Sequence, residues 1–351
     1  MSAMAVRNES AFDALMGSFT HIDGHIVDEH TDPWVLWHTT DLYAWWHSFE
    51  DQCQTPLGRK LMNAFADQEE YLLNRNATLS TGWFSKKRRQ QEAIQRRWST
   101  YGWGQFDVSK NSASTLLFAP IAAGLALATT EGVNGQRNKV EWTQLNQRLI
   151  QFDFSPSDTR LPPAPHPPKM PWTSPFDHGL QPPYVFSELL HNGTELSLEG
   201  EVVCMLPLGA FTRLFHTCRA YPNALAQEHQ NSWQTPGLQA GDRSVLLMVV
   251  SSMSGLLDRG ERPIYLENHG SWNPLIEHYL IQFGWGAPTS IEPMDSEHGV
   301  RFFLSPTATF PFLVGWLVAM WERGHGIPSK FRLEKEGENW VLEIDSRHAY
   351  N

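Results

Sequence analysis

Residues 37 to 48, WHTTDLYAWWHS, place two histidines, a tyrosine and three tryptophans in twelve positions. A histidine beside a tyrosine is the raw material of general acid and base catalysis, because imidazole titrates near neutral pH. On a helix, however, His38 and Tyr43 lie five residues apart, about 140° around the axis, so they do not converge on one reacting atom. No GxSxG nucleophile and no paired carboxylates accompany them. The enzyme reading therefore rests on His38, or on His216 further along, as a lone acid or base. A pocket reading uses more of the residues: Trp34, Trp37, His38, Asp41 and Trp45 follow helical spacing and predict an aromatic stripe that lines an apolar cavity. The same stripe also reads as core or as an interface between parts of the chain.

Two further clusters carry chemistry. HIDGHIVDEH, residues 21 to 30, holds three histidines and three acids, with His21, Asp23 and His25 on one face of a strand. Zinc needs three or four converging ligands, and the carboxylates running on to Asp32 read instead as a solvated edge approaching a helix cap, so no metal is expected. WFSKKRRQQEAIQRRW, residues 83 to 98, carries Lys86, Lys87, Arg88, Arg89, Arg96 and Arg97 against one acid. It reads as an exposed helix with a basic face, a candidate dock for an acidic protein partner. Its aromatics, Trp83, Phe84 and Trp98, stand only at the ends, and the chain's net charge of −11 opposes nucleic acid as the partner.

The elements that must position these residues are legible as an order. A chain of 351 residues exceeds what one core ordinarily holds, and 41% hydrophobic residues with 19% charged is the balance of a folded protein. Residues 155 to 185 are proline-rich and predict a semi-rigid extended linker between two units, residues 1 to 154 and 186 to 351. The two units match in order. IDGHIV (22 to 27) faces LEGEVV (198 to 203), and HTTDLY (38 to 43) faces HTCRAY (216 to 221), which pairs His38 with His216 and Tyr43 with Tyr221. YGWG (101 to 104) faces FGWG (283 to 286), LLFAP (116 to 120) faces FFLSP (302 to 306), and residues 139 to 155 face 330 to 346. Ordered matches of this kind indicate two tandem copies of one mixed helix and antiparallel-sheet unit, an α+β fold closing as an internal pseudodimer. Helices are predicted from Pro33, from about Leu208, over 57 to 73 and 243 to 258, before each GWG, and over 121 to 131 and 310 to 323. Each unit then closes with a hairpin.

The second-unit run from GWGAPTS to NWVLEID resembles the 4-vinyl reductase domain. The likeness lies in a helix ending at glycine, two strands, Ser305 and Pro306 before a buried helix containing Gly315, and a hairpin carrying Glu334 and Gly337. It covers about 70 residues of each unit. Such domains are commonly ligand sensors without catalytic activity, so the resemblance implies binding more than a reaction; with the aromatic stripe, the expected function is sensing a small apolar or aromatic molecule, or an adaptor role. Many members carry cysteines in the closing hairpin, where this chain has Leu333, Asn339 and Trp340, so no metal site of that type is implied. The binding candidates are thus Trp34, Trp37, His38, Tyr43, Trp45, His216 and Tyr221, with no cofactor. Three cysteines without CxxC spacing and an N-terminus without a signal-peptide pattern predict a cytoplasmic protein, and the uncharged runs at 116 to 130 and 302 to 321 read as strand feeding buried helix rather than membrane span.

Overall fold

The computed structural model describes residues 9–79, 86–158, 161–176, 179, 181–225, 227–259 and 263–347. The chain begins with α1 (Glu9–Ser18), β1 (Phe19–Ile22), β2 (His25–Asp28), β3 (Pro33–His38), α2 (Thr39–Cys53), α3 (Gly58–Arg75) and α4 (Lys86–Thr100). It continues through β4 (Gln105–Asp107), β5 (Ser112–Ser114), α5 (Ala119–Asn134), β6 (Asn138–Gln144) and β7 (Leu149–Pro156). A 3₁₀ turn at Tyr184–Glu188 leads to β8 (Leu190–His191), β9 (Leu196–Leu198), β10 (Glu201–Pro207), α6 (Leu208–Cys218), α7 (Gln227–Ser232), β11 (Trp233–Gln234) and α8 (Ala240–Arg259). Next come α9 (Trp272–Ile276), running into a π turn at Glu277–Ile281, then β12 (Ser290–Pro293), β13 (Val300–Leu304), α10 (Phe310–His325), β14 (Ser329–Glu336) and β15 (Asn339–Ser346). The fold is α+β.

Three sheets organise it. The central one has the order β1-β2-β3-β10-β9-β8, and antiparallel pairing of β3 with β10 joins the first half of the chain to the second. The outer sheets have the orders β4-β5-β7-β6 and β11-β14-β15-β13-β12, the second repeating the first with β11 added parallel to β14. α5 crosses one outer sheet's strand order between β5 and β6, and α10 does the same between β13 and β14. Gly124 lets α5 lie against α3, where a Cβ would stand 2.4 Å from the Met62 carbonyl oxygen; Gly315 does the same for α10 on α8, 2.7 Å from Met253. The helix-to-strand corner after each is also alike: Glu131 Oε1 accepts from the Asn138 N–H at 2.6 Å, and Glu322 Oε1 from the Ser329 N–H at 3.0 Å.

The two halves dock reciprocally at the GWG turns. The Met205 N–H of β10 donates to the Tyr101 carbonyl at 2.9 Å, while the Leu36 N–H of β3 donates to the Phe283 carbonyl at 3.0 Å. Gly104 N–H reaches the Thr194 carbonyl and Gly286 N–H the Gly24 carbonyl. Gly102 (φ +71°) lies where a Cβ would meet the Val203 oxygen at 2.8 Å, and Gly284 (φ +84°) where it would meet the Trp34 oxygen at 2.9 Å. Each turn therefore seats its glycine on the central strand of the other half, a contact only a residue without Cβ makes.

Four expectations are corrected. Residues 33 to 38 form a strand, not the start of a helix, because PWVLWH is a short apolar run, rich in β-branched and aromatic side chains, whose middle four residues are buried. Asp32 is not a helix cap: Arg75 holds its carboxylate at 2.7 Å, and Asp28 accepts the turn's N–H groups from His30 and Asp32. His38 and His216 do not correspond. The β3–α2 junction is His38–Thr39 and the β10–α6 junction is Pro207–Leu208, whereas His216 falls in the last turn of α6. Likewise the Asp23–Gly24 turn joins β1 to β2, an outer hairpin, while Glu199–Gly200 leads into the central β10; both adopt left-handed turns, which is why their sequences look alike.

The proline-rich segment packs along the molecule. Met170 and Trp172 are buried, Trp172 stacks on Phe310 with centroids 6.2 Å apart, and Arg213 donates to the Pro165 carbonyl. A direct test of the reciprocal docking is Gly284→Ala, which should lose about 2 kcal/mol or more in urea unfolding, combining left-handed strain with the clash at Trp34. Gly326→Ala, also left-handed (φ +66°) but with open space at its Cβ, should lose only about 1 kcal/mol. Equal losses would remove the close approach as the cause.

Candidate functional site

Strand geometry separates the tryptophans that helical spacing brings together. Trp34 faces one side of the central sheet, against Phe19 (5.2 Å between centroids), Tyr101 (5.0 Å) and Trp103 (6.4 Å), with its indole N–H donating to Asp28 at 3.2 Å. Trp37 faces the other side. There it meets Trp45 (5.4 Å), Phe211 (5.5 Å), Phe312 (5.4 Å) and Trp285 (4.8 Å, near-perpendicular), a pile of rings drawn from both halves. Trp45 is wholly buried in this pile.

At the end of β3 the pile opens into a cleft of about 490 Å³. Leu36, Trp37, His38, Thr40 and Asp41 wall it from the first half; Leu198, Tyr279, Phe283, Trp285 and Trp316 wall it from the second. His38 is half-buried and its ring lies 5.2 Å from that of Phe283. Of the seven candidate binding residues, the cleft unites Trp37 and His38. Tyr43 points outward, 52% exposed, against His47 and Phe118. His216 is exposed and Tyr221 half-buried, and neither lines the cleft, nor do Trp34 and Trp45. The walls supplied by the second half were visible in the sequence only as the FGWG landmark and as apolar helix residues; nothing in their spacing marks them as cleft-lining.

The histidines of residues 21 to 30 are separated. His25 is buried, with Nε2 3.1 Å from Thr309 Oγ1, which pairs in turn with Thr307 Oγ1 at 2.9 Å. Its ring also rests 4.7 Å from that of Phe176 in the proline-rich segment. Burial lowers its pKa to about 4. His21, also lowered by desolvation, sits where its backbone bridges to Gln181, and His30 lies 3.6 Å from the Glu29 carboxylate. Among the described residues no group of three or more His, Cys, Asp or Glu is arranged to hold a metal ion. A second cavity of about 360 Å³ lies under the proline-rich segment, lined by His30, Asp32, Arg75, His166 and Lys169. There burial and the nearby Asp28 raise the Asp32 pKa, with Arg75 opposing them.

The basic helix divides between surface and core. Lys86, Lys87, Arg88, Arg89 and Arg96 are exposed on α4, with Arg88 3.5 Å from Glu92 one turn on. Trp83 and Phe84 lie outside the described residues. Arg97 is not part of the surface face: it is buried in a two-pronged pair with Glu69 of α3 at 2.6 and 2.7 Å, its guanidinium 4.8 Å above Tyr101 and 5.4 Å above Trp103. Burial works against its charge, yet the Glu69 carboxylate holds its pKa above the ordinary arginine value. The ion pair thus anchors the helix that delivers the first GWG turn.

Compared with protein-family models, curated proteins and solved structures, the chain has no significant match.

Two predictions follow from these geometries. In the unfolded chain His25 titrates near 6.5 and in the folded one near 4, so between those values the unfolded chain binds the extra proton. Its share of stability is full above pH 6.5 and is lost as pH falls toward 4, a loss of about 3 kcal/mol. Urea midpoints measured across that range should fall less steeply for His25→Asn; parallel slopes would dismiss this assignment. Arg97→Met, which strands a buried carboxylate, should cost about 3–5 kcal/mol, and adding Glu69→Leu should restore most of it, as read by thermal unfolding.

Proposed function

We propose that the protein binds a small apolar or aromatic molecule in the cleft beside His38 without transforming it. In this reading its chain is two 4-vinyl reductase-like units, residues 1 to 154 and 186 to 351, clasped as an internal pseudodimer. The observation that carries the binding reading is the cleft itself: its volume of about 490 Å³ is in the range of ligand pockets, and its back is made of aromatic rings contributed by both halves. The like strand orders of the outer sheets and the reciprocal GWG docking support the doubling. Cys53, Cys204 and Cys218 are free thiols, and reduced cysteines favour a cytoplasmic location. No helix among the described residues is long and apolar enough to cross a membrane.

An adaptor role is the second reading, favoured by the four consecutive exposed basic residues 86 to 89 on an otherwise acidic protein, which suit an acidic protein partner better than nucleic acid. The enzyme reading now rests on His38, because His216 stands outside the cleft; a reaction there would be lost in His38→Asn while folding persists.

The binding reading is tested with a neutral solvatochromic dye such as Nile red. The wild-type protein should enhance its fluorescence saturably. Thr40→Trp, which places an indole at the exposed cleft mouth, should weaken binding at least about tenfold without lowering the melting temperature, and Tyr43→Ala, outside the cleft, should leave it unchanged. Binding that ignores Thr40→Trp would place the ligand elsewhere.

A further inference from the structure

Resting on that binding reading, we propose that the cleft selects an organic cation: an amine or quaternary ammonium group carried on an apolar or aromatic body. The cleft's depth and its mouth differ in chemistry. The half-buried Phe283 and Tyr279 present aromatic surface inside the cleft, with Trp37, Trp285 and Trp316 buried in its lining, the material that holds a desolvated cation through ring quadrupoles. The mouth is acidic, with Asp41 from α2, Glu188 from the 3₁₀ turn, Glu199 from the β9–β10 turn and Glu201 from the start of β10.

None of the described residues lining the cleft is Lys or Arg. Glu188, Glu199 and Glu201 are exposed and make no ion pair among the described residues. The cavity under the proline-rich segment is the contrast, because there Arg75 and Lys169 supply positive charge and Arg75 already satisfies Asp32. In the cleft, whose other titratable lining residues are His38, His278 and Tyr279, a bound cation would give Glu188, Glu199 and Glu201 the partner that no Lys or Arg of the lining supplies. The positive end of α2, which begins at Thr39 beside the cleft, works against a cation, and Asp41 in its first turn offsets it. Glu199 holds a left-handed backbone (φ +52°) at a turn position that asparagine or glycine would occupy with less strain, so its carboxylate is kept at the mouth at some conformational cost.

The experiment compares benzyltrimethylammonium with its uncharged carbon isostere, neopentylbenzene, on the full chain, by tryptophan fluorescence and by competition with the neutral dye. The cation should bind at least about tenfold more tightly than the isostere, and more weakly as salt is added. In Glu199→Gln/Glu201→Gln, where both changes fall on exposed residues, the cation should lose about tenfold and the isostere should be unaffected. Near-UV circular dichroism should show the fold of this variant intact. Equal binding of the two probes, or a variant that treats them alike, overturns the cation assignment and leaves the cleft as an apolar site. If neither probe nor the dye is taken up, the cation assignment and the binding reading fall together.

Discussion

The antiparallel pairing of β3 with β10 is the constraint from which the rest of the molecule is arranged. It runs through five residue pairs, from Val203 opposite His38 to Pro207 opposite Trp34, and makes one sheet of strands that belong to distant parts of the chain. A strand in the middle of such a sheet is buried on both faces, so each face needs its own apolar cover. Trp34 meets the cover on one side and Trp37 on the other. The helices that follow the two strands, α2 and α6, meet through their aromatic rings, Trp45 against Phe211 and Phe49 against Phe215.

Magnitudes show why this arrangement tolerates imperfect polar pairing. Burying a tryptophan removes about 150–250 Å² from water, worth roughly 4–6 kcal/mol as an upper bound before ordering costs. The indole nitrogens of Trp37, Trp45, Trp46 and Trp98 are buried without a hydrogen-bond partner among the described residues, each costing about 1–3 kcal/mol. Apolar burial outweighs that loss at every one of these positions. Other interior polar groups do find partners, as in the Arg97–Glu69 pair and the contact of His25 Nε2 with the Thr309 hydroxyl, which pairs with that of Thr307.

The cleft is a consequence of the same seam. Where β3 ends and α2 begins, the chain turns away from the sheet, and the second half's π turn and α10 approach without filling the space. Its walls therefore belong to no single stretch of sequence. Gly284 brings Phe283 and Trp285 within reach by resting on the Trp34 carbonyl, so backbone contact between the halves and the shape of the cleft are set by one turn.

Much of the element order was legible in the residues. The helices around 57 to 73 and 243 to 258, the buried helices after them, the glycine-ended turns and the closing hairpins all stand where periodicity and helix-stopping residues put them, because those signals are local. PWVLWH was not legible. Its tryptophans satisfy a helical spacing as well as a strand's, and only the partner strand β10, more than 160 residues away, decides between them. The same distance explains the histidines: His38 and His216 share a local pattern, HT followed by a tyrosine, but pairing puts one at the cleft and leaves the other on the surface. The sequence by itself determined an acidic α+β chain and much of the order of its elements, since propensity and hydrophobic period act between neighbours. Which aromatic rings face one another, which arginine turns inward and where an open space remains were decided by tertiary structure alone, since those depend on contacts that chain connectivity does not encode.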